Sequence, residues 1–244
     1  MKVAVISFSG NVGKTTIARH LLAPRIPGAQ LIAVESINAE DGEAADALRG
    51  RQFGQLQEHL QTIDDAIVDI GASNVEDLLA LMRRYEGSHE DFDCFVVPTV
   101  AAQKPQKDTV TTLVHLAQLG IPPHRLRLVF NMLDDDIKFD EVFDRLLDFL
   151  ARHPIAVANP ACHIGANEVF QLAGGTDLVS LASDTTDYRA LIARAADSAE
   201  RYVIARKLAI RRLAAGVVPR LDACFAALQL GATAPAIAPM ARSL

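Results

Sequence analysis

KVAVISF at residues 2–8, SGNVGKTT at 9–16 and IARHLL at 17–22 stand end to end, and the two junctions between them decide the fold. The first run is apolar and rich in valine and isoleucine, which suits a strand buried on both faces. The last has helical spacing and contains neither glycine nor proline. Between them Gly10 and Gly13 free the backbone to turn its N–H groups inward. The following helix adds the positive end of its dipole, and Lys14 brings a full charge on a long stem. Strand, glycine turn and helix in that order make a phosphate cradle. Read so, the backbone of Ser9, Gly10, Asn11, Val12 and Gly13 wraps a nucleotide's phosphates and Lys14 reaches the β- and γ-phosphates. The Thr15 hydroxyl ligates magnesium, and Thr16 bonds the α-phosphate. The competing reading is a structural glycine turn with its lysine in solvent, and the strand-to-helix context argues against it.

Outward from the loop, short apolar runs alternate with longer amphipathic stretches, the pattern of parallel βαβ units. QLIAVE (30–35), DAIVDI (65–70), DCFVVP (93–98), RLRLVFN (125–131) and PIAVAN (154–159) read as further strands. Helices are expected over 15–22, 53–61, 74–85, 108–119 and 140–152, with Ser73 and Asp108 as N-caps and Gly120 then Pro122 as a stop. The expected fold class is α/β, a mainly parallel sheet flanked by helices. From about Asp187 an alanine- and arginine-rich helical stretch runs to Gly216, and a second, shorter helix is expected after Pro219. The expected organisation is an ATPase domain over 1–185, a C-terminal helical appendage over 186–230 and a loosely held tail over 231–244.

A P-loop enzyme needs a carboxylate near its magnesium at the end of a second strand. Asp69 closes DAIVDI and Gly71 follows it, so Asp69 is the expected metal-side acid at the start of switch II. An acid merely ending a strand is the plainer alternative, and Asp64 and Asp65 at the other end of the run read as solvated. The general GxxxxGK[ST] spacing would put its first glycine at Phe8. The loop instead resembles the deviant KGGxGK[ST] of the ParA/MinD ATPases, with Gly10, Gly13, Lys14 and Thr15 in register, Asn11 for a glycine and Ser9 for the family's signature lysine. VISFSGNVGKTTIARHLL, residues 5–22, looks most like the StbB-type plasmid stability proteins, a branch of that family.

The resemblance implies a SIMIBI-type P-loop sheet, ATP and Mg2+ as ligands, and a nucleotide-dependent homodimer. It also implies a plasmid-encoded DNA-binding partner and a switch role in plasmid stability or partition, with a link to conjugative transfer. In that family the signature lysine reaches across a nucleotide-sandwiched dimer. Ser9 brings no charge there, so hydrolysis is expected to be slow, partner-activated or helped by another cation. The family's second strand ends in a DxD-like switch I. VESINAED supplies Glu35 for the first acid, places Ile37 at the second, and has Asn38 and Asp41 behind it. Glu35 thus joins Lys14 and Asp69 as a catalytic candidate. The family also places an asparagine at the end of a late strand, here Asn131, and a proline-containing loop after the next. That second loop is matched by Asn159, Pro160 and Ala161, with residues 173–175 in the following turn. An asparagine amide suits the adenine edge and equally suits an ordinary turn.

Three cysteines without CxxC spacing argue against a disulfide framework and a zinc site, and fit a reducing cytoplasm. No charge-free apolar run of about eighteen residues is present, and Lys2 leads straight into the first strand, so neither a spanning helix nor a signal peptide is expected. The net charge of −6 disfavours a general nucleic-acid coat, leaving direct DNA contact open. Arg206, Lys207, Arg211 and Arg212 recur at helical spacing beside Ile204, Leu208, Ile210 and Leu213. That face could meet DNA phosphates, an anionic membrane or a partner, and solvated arginines on a packed helix are the plainer reading. Cys162 with His163 reads as structural, and Asp134–Asp136 as solvated. Two other function classes stay open. One is a small-molecule kinase or ligase of the same superfamily, with Lys104 and Lys107 available to a substrate. The other is a nucleotide-binding adaptor with little hydrolysis, which Ser9 and Ile37 favour.

Overall fold

The computed structural model describes residues 1–34, 43–134 and 136–231, the side chains of 43–51 excepted. Glu35, Ile37, Asn38 and Asp41 of the expected switch I, and residues 232–244 of the expected tail, lie outside the described residues. Six strands, β1 (Lys2–Val5), β2 (Gln30–Val34), β3 (Ala66–Ile70), β4 (Cys94–Thr99), β5 (Leu126–Leu133) and β6 (His163–Gly165), form one sheet. Its order is β2-β3-β1-β4-β5-β6 and every pairing is parallel. This is the α/β class that the alternation predicts.

Successive strand residues face opposite sides of a sheet, so the apolar runs feed two cores. Ala4, Ile6, Val68, Ile70, Phe95, Val97, Leu128 and Phe130 face one. It is covered by α2 (Glu43–Thr62), α3 (Val75–Arg84), α4 (Gln103–Gln118), α5 (Phe139–Val142) and α6 (Asp144–Arg152). Val3, Val5, Ile67, Cys94, Val96 and Val129 face the other. There the cover is α1 (Lys14–Thr16) with its continuation Ile17–Leu22, then α7 (Val169–Leu172), α8 (Leu178–Ser183) and α10 (Ser198–Leu228). A further helix, α9 (Tyr188–Arg194), packs on α10.

Several expected elements are redrawn. Residues 17–22 are helical, as expected, but form a π-helix. Asp108 is not an N-cap: α4 begins five residues earlier, with Ala102 at its N-cap and Pro105 in its first turn, where a missing N–H breaks no helical bond. Asn74, rather than Ser73, caps α3. The helix expected over 140–152 breaks at Phe143, whose buried ring meets Phe130 at 4.8 Å and Phe139 at 5.0 Å. Asp65 is not simply solvated, because its carboxylate pairs with the Met1 amine.

PIAVAN is not the sixth strand. Only its Val157 pairs, in an isolated bridge with Arg127. The chain then turns, with Cys162 N–H donating to Asn159 O at 2.8 Å, and rejoins β5 at Phe130 as β6. Pro154 and Pro160 bring no N–H to a ladder at the two ends of the segment, while Val157 N between them donates to Leu126 O at 2.9 Å.

Nor does Pro219 start a second helix, since α10 runs unbroken for 31 residues through it. Ala214, Val217, Leu221, Cys224 and Leu228 continue at three- and four-residue steps across the proline, and all are buried against the sheet side. Burying Val217, Leu221 and Leu228 contributes on the order of 5 kcal/mol, more than the roughly 3 kcal/mol of an interior proline.

Candidate functional site

β1 and β3 are neighbours with Val5 opposite Asp69, so the loop that leaves β1 emerges beside the Asp69 carboxylate. The loop itself reverses through two left-handed residues, Asn11 at φ 55° and Gly13 at φ 81°. At Gly13 only glycine fits, because a Cβ there would lie 2.1 Å from the Asn131 amide nitrogen. Lys14 is 8 % exposed, and its ammonium donates to Ser9 O at 2.7 Å and Ser7 O at 3.4 Å. Burial holds that ammonium below its ordinary pKa, opposed by the negative charge of Asp69. Thr15 Oγ1 donates to Asp69 Oδ2 at 2.6 Å. These are two hard oxygen donors side by side, and they fit a magnesium ion. Among the described residues no group of three or more His, Cys, Asp or Glu is placed to hold a metal ion; magnesium held at Thr15 and Asp69 would draw further oxygen ligands from phosphates and water.

The structure thus brings together Ser9, Gly10, Asn11, Val12, Gly13, Lys14, Thr15 and Thr16 with Asp69 and Asn131. Asn131, at the C-terminal part of β5, is 2 % exposed and donates through Nδ2 to Val12 O at 2.9 Å. Its amide nitrogen therefore props the phosphate loop. Pro160 lines a cavity with Leu133, Asp134 and Gly165 at the ends of β5 and β6. It precedes β6 instead of following it, and its carbonyl accepts from His163 Nδ1 at 2.9 Å. Asn159 turns the same way, donating to Ala227 O of α10 at 3.2 Å. The loop that does follow β6 is residues 166–168, where Asn167 Oδ1 accepts from Val169 N at 2.9 Å. The pairing of β6 decided this shift, so the displacement of the sixth strand carries the expected adenine-side loop with it.

Sequence reasoning missed one partner of the loop. Ser9 Oγ donates to Asp108 Oδ2 at 2.5 Å, and Phe8 N donates to Thr112 Oγ1 at 3.2 Å, tying the loop's leading edge to α4. The signal was Pro105: a proline that fits a first helical turn moves the start of α4 upstream and frees Asp108 for other work. Lys104 and Lys107 are exposed on the same helix. On α10, Arg206, Lys207 and Arg212 are exposed, but Arg211 is half-buried. It donates to Asp184 O at 3.0 Å and Thr186 O at 3.2 Å and lies 5.5 Å over the Tyr188 ring, fastening α9 to α10. No described helix is long and apolar enough to cross a membrane.

A parallel sheet with a glycine loop after β1 and an acid at the end of the adjacent β3 defines a P-loop NTPase fold. No protein-family model and no curated protein sequence matches the chain. Among solved structures it is similar to apo McdA from Cyanothece, at 16% identity and a TM-score of 0.48 over 74% of this chain and 92% of that one. It is also similar to a protein described as a plasmid partition protein from Borrelia burgdorferi B31, bound to AMPPNP, at 13% identity and 0.45 over 86% and 97%. An ATP complex of a McdA variant from Cyanothece gives 14% identity and 0.43 over 88% and 96%.

Proposed function

We propose that the chain is a magnesium-dependent P-loop ATPase of the ParA/MinD kind, working as a nucleotide-dependent switch in plasmid stability or partition with a link to conjugative transfer. The observation that carries the nucleotide reading is the Thr15–Asp69 hydrogen bond of 2.6 Å beside the left-handed Gly13 turn and the buried Lys14 ammonium. A buried ammonium whose partners among the described residues are neutral carbonyls gains most from an anionic partner. Triphosphate oxygens offer that partner, and Lys14 exchanges Ser7 O and Ser9 O for them. The loop's N–H groups hold the phosphate chain, Thr15 and Asp69 hold magnesium, which neutralises phosphate charge, and Glu35 orients the attacking water. The plasmid role rests on the StbB-like opening sequence, as do cytoplasmic location, a nucleotide-dependent homodimer and a DNA-binding partner.

The test is sedimentation of the purified chain alone, with Mg-ADP and with a non-hydrolysable Mg-ATP analogue, alongside phosphate release from Mg-ATP. Dimerisation with the analogue only, together with turnover, supports the switch. A monomer in all three states, with turnover only after a metabolite is added, replaces it with the kinase reading. One observation favours the adaptor reading as the second choice: Ser9, at the signature-lysine position, is engaged with Asp108 and supplies no cation. Tight ATP binding without turnover would establish it.

A further inference from the structure

The residues that accept from the Lys14 ammonium are the same residues that are tied to α4. Ser7 and Ser9 receive the Lys14 ammonium on their carbonyls, at 3.4 and 2.7 Å. Ser9 then gives its hydroxyl to Asp108 at 2.5 Å, and Phe8, between them, gives its N–H to Thr112 at 3.2 Å. Within α4 the chain of bonds continues, since Thr112 Oγ1 donates to Asp108 O at 2.7 Å. Ser9 is 6 % exposed, so its hydroxyl has little water to turn to if Asp108 is removed.

We propose that the Ser9–Asp108 hydrogen bond is the latch through which α4 senses whether the phosphate loop is filled, with Asp108 as a positioning residue. The inference rests on the nucleotide reading above. When phosphates take the Lys14 ammonium, the carbonyls of Ser7 and Ser9 lose their charged donor and the leading edge of the loop settles into a new position. The Ser9 side chain carries that displacement to Asp108. The tie also sets how firmly α4 is held against the loop, and since α4 is one continuous element of 16 residues the change in its local opening spreads along it. Its exposed N-terminal turns carry Lys104 and Lys107, so the output is a shift of two surface cations. No charge on Asp108 is needed for this; what matters is an oxygen that accepts from Ser9.

The test is hydrogen–deuterium exchange of the full chain with and without a non-hydrolysable Mg-ATP analogue, in wild type, Asp108→Ala and Asp108→Asn. Asp108 is half-exposed in a helix interior, where alanine is a better helix former, so the alanine variant is expected to fold. In the wild type the analogue is expected to slow exchange across residues 103–118 by about threefold or more. Asp108→Ala is expected to bind the analogue and to lose that response, whereas Asp108→Asn, whose amide oxygen still accepts from Ser9, is expected to keep it. A helix that responds equally in Asp108→Ala overturns the inference. So does a wild type that binds the analogue with no change in α4, or loss of the response in Asp108→Asn as well. A wild type that does not bind the analogue at all, or Lys14→Ala that binds it unchanged, overturns the nucleotide reading itself and the inference with it.

Discussion

Replacing Gly13 by alanine tests the geometry on which the site depends. The substitution adds a Cβ to a residue held at φ 81°, and that atom would sit 2.1 Å from Asn131 Nδ2. The left-handed conformation costs a non-glycine residue roughly 1–2 kcal/mol. Displacing the Asn131 amide strips Val12 O of its buried donor, which costs about 1–3 kcal/mol more. The expected loss is therefore roughly 2–5 kcal/mol, a fall in Tm of about 5–15 °C for a chain of this size. Gly10→Ala is the matched control, since a Cβ there meets nothing within 4 Å and its φ is not positive, so its loss is expected below about 1 kcal/mol. Urea unfolding followed by circular dichroism reads both. Removing the Asn131 amide also removes the clash, so Gly13→Ala with Asn131→Ala is expected to lose less than the two singles together, by about 1 kcal/mol or more. Strict additivity, or a Gly13→Ala loss no larger than that of Gly10→Ala, refutes the reasoning.

Four further outcomes are expected. Lys14→Ala abolishes nucleotide binding while far-ultraviolet circular dichroism stays native, and Asp69→Ala removes the magnesium dependence of binding. Unchanged ATP affinity in the lysine variant defeats the site assignment. His20, buried beside the positive charge of Arg19, has its pKa lowered from 6.5 chiefly by desolvation, with Asp177 opposing. Below pH 6.5 the unfolded chain then binds more protons than the folded one, so the stability that comes from burying a neutral imidazole is lost as pH falls from there. His20→Leu is expected to flatten urea-measured stability as pH falls below 6.5, while Asp184, lowered to about 2 mainly by the Thr186 hydroxyl, contributes only to losses below 3.8. An unaltered pH dependence in His20→Leu excludes that assignment. Desolvation pushes the thiols of Cys94, Cys162 and Cys224 up to about 12, 11 and 12, so iodoacetamide at pH 8 is expected to label the chain only after unfolding, as mass spectrometry would show.

The first five strands, the α/β class and the loop from Ser9 to Thr16 with Asp69 beside it were legible in the amino-acid order. Those assignments rest on local chemistry: apolar runs that make buried strands and glycines that turn a backbone. An acid ending the adjacent strand completes them. Helix ends were less legible, as Asp108 shows. An aspartate with helical residues after it looks like a cap until Pro105 is allowed into the first turn. The rest depends on contacts between residues far apart in the chain. PIAVAN carries an acceptable strand pattern, but strand pairing depends on which N–H groups meet β5, and a turn at Asn159–Cys162 handed that role to His163–Gly165. Pro219 is a sound local stop signal, yet the buried stripe from Ala214 to Leu228 holds α10 straight through it, because burial against the sheet outweighs one missing hydrogen bond. The tie between Ser9 and Asp108 joins residues 99 positions apart, and no periodicity or spacing records a contact that exists only once β1 and β4 lie side by side.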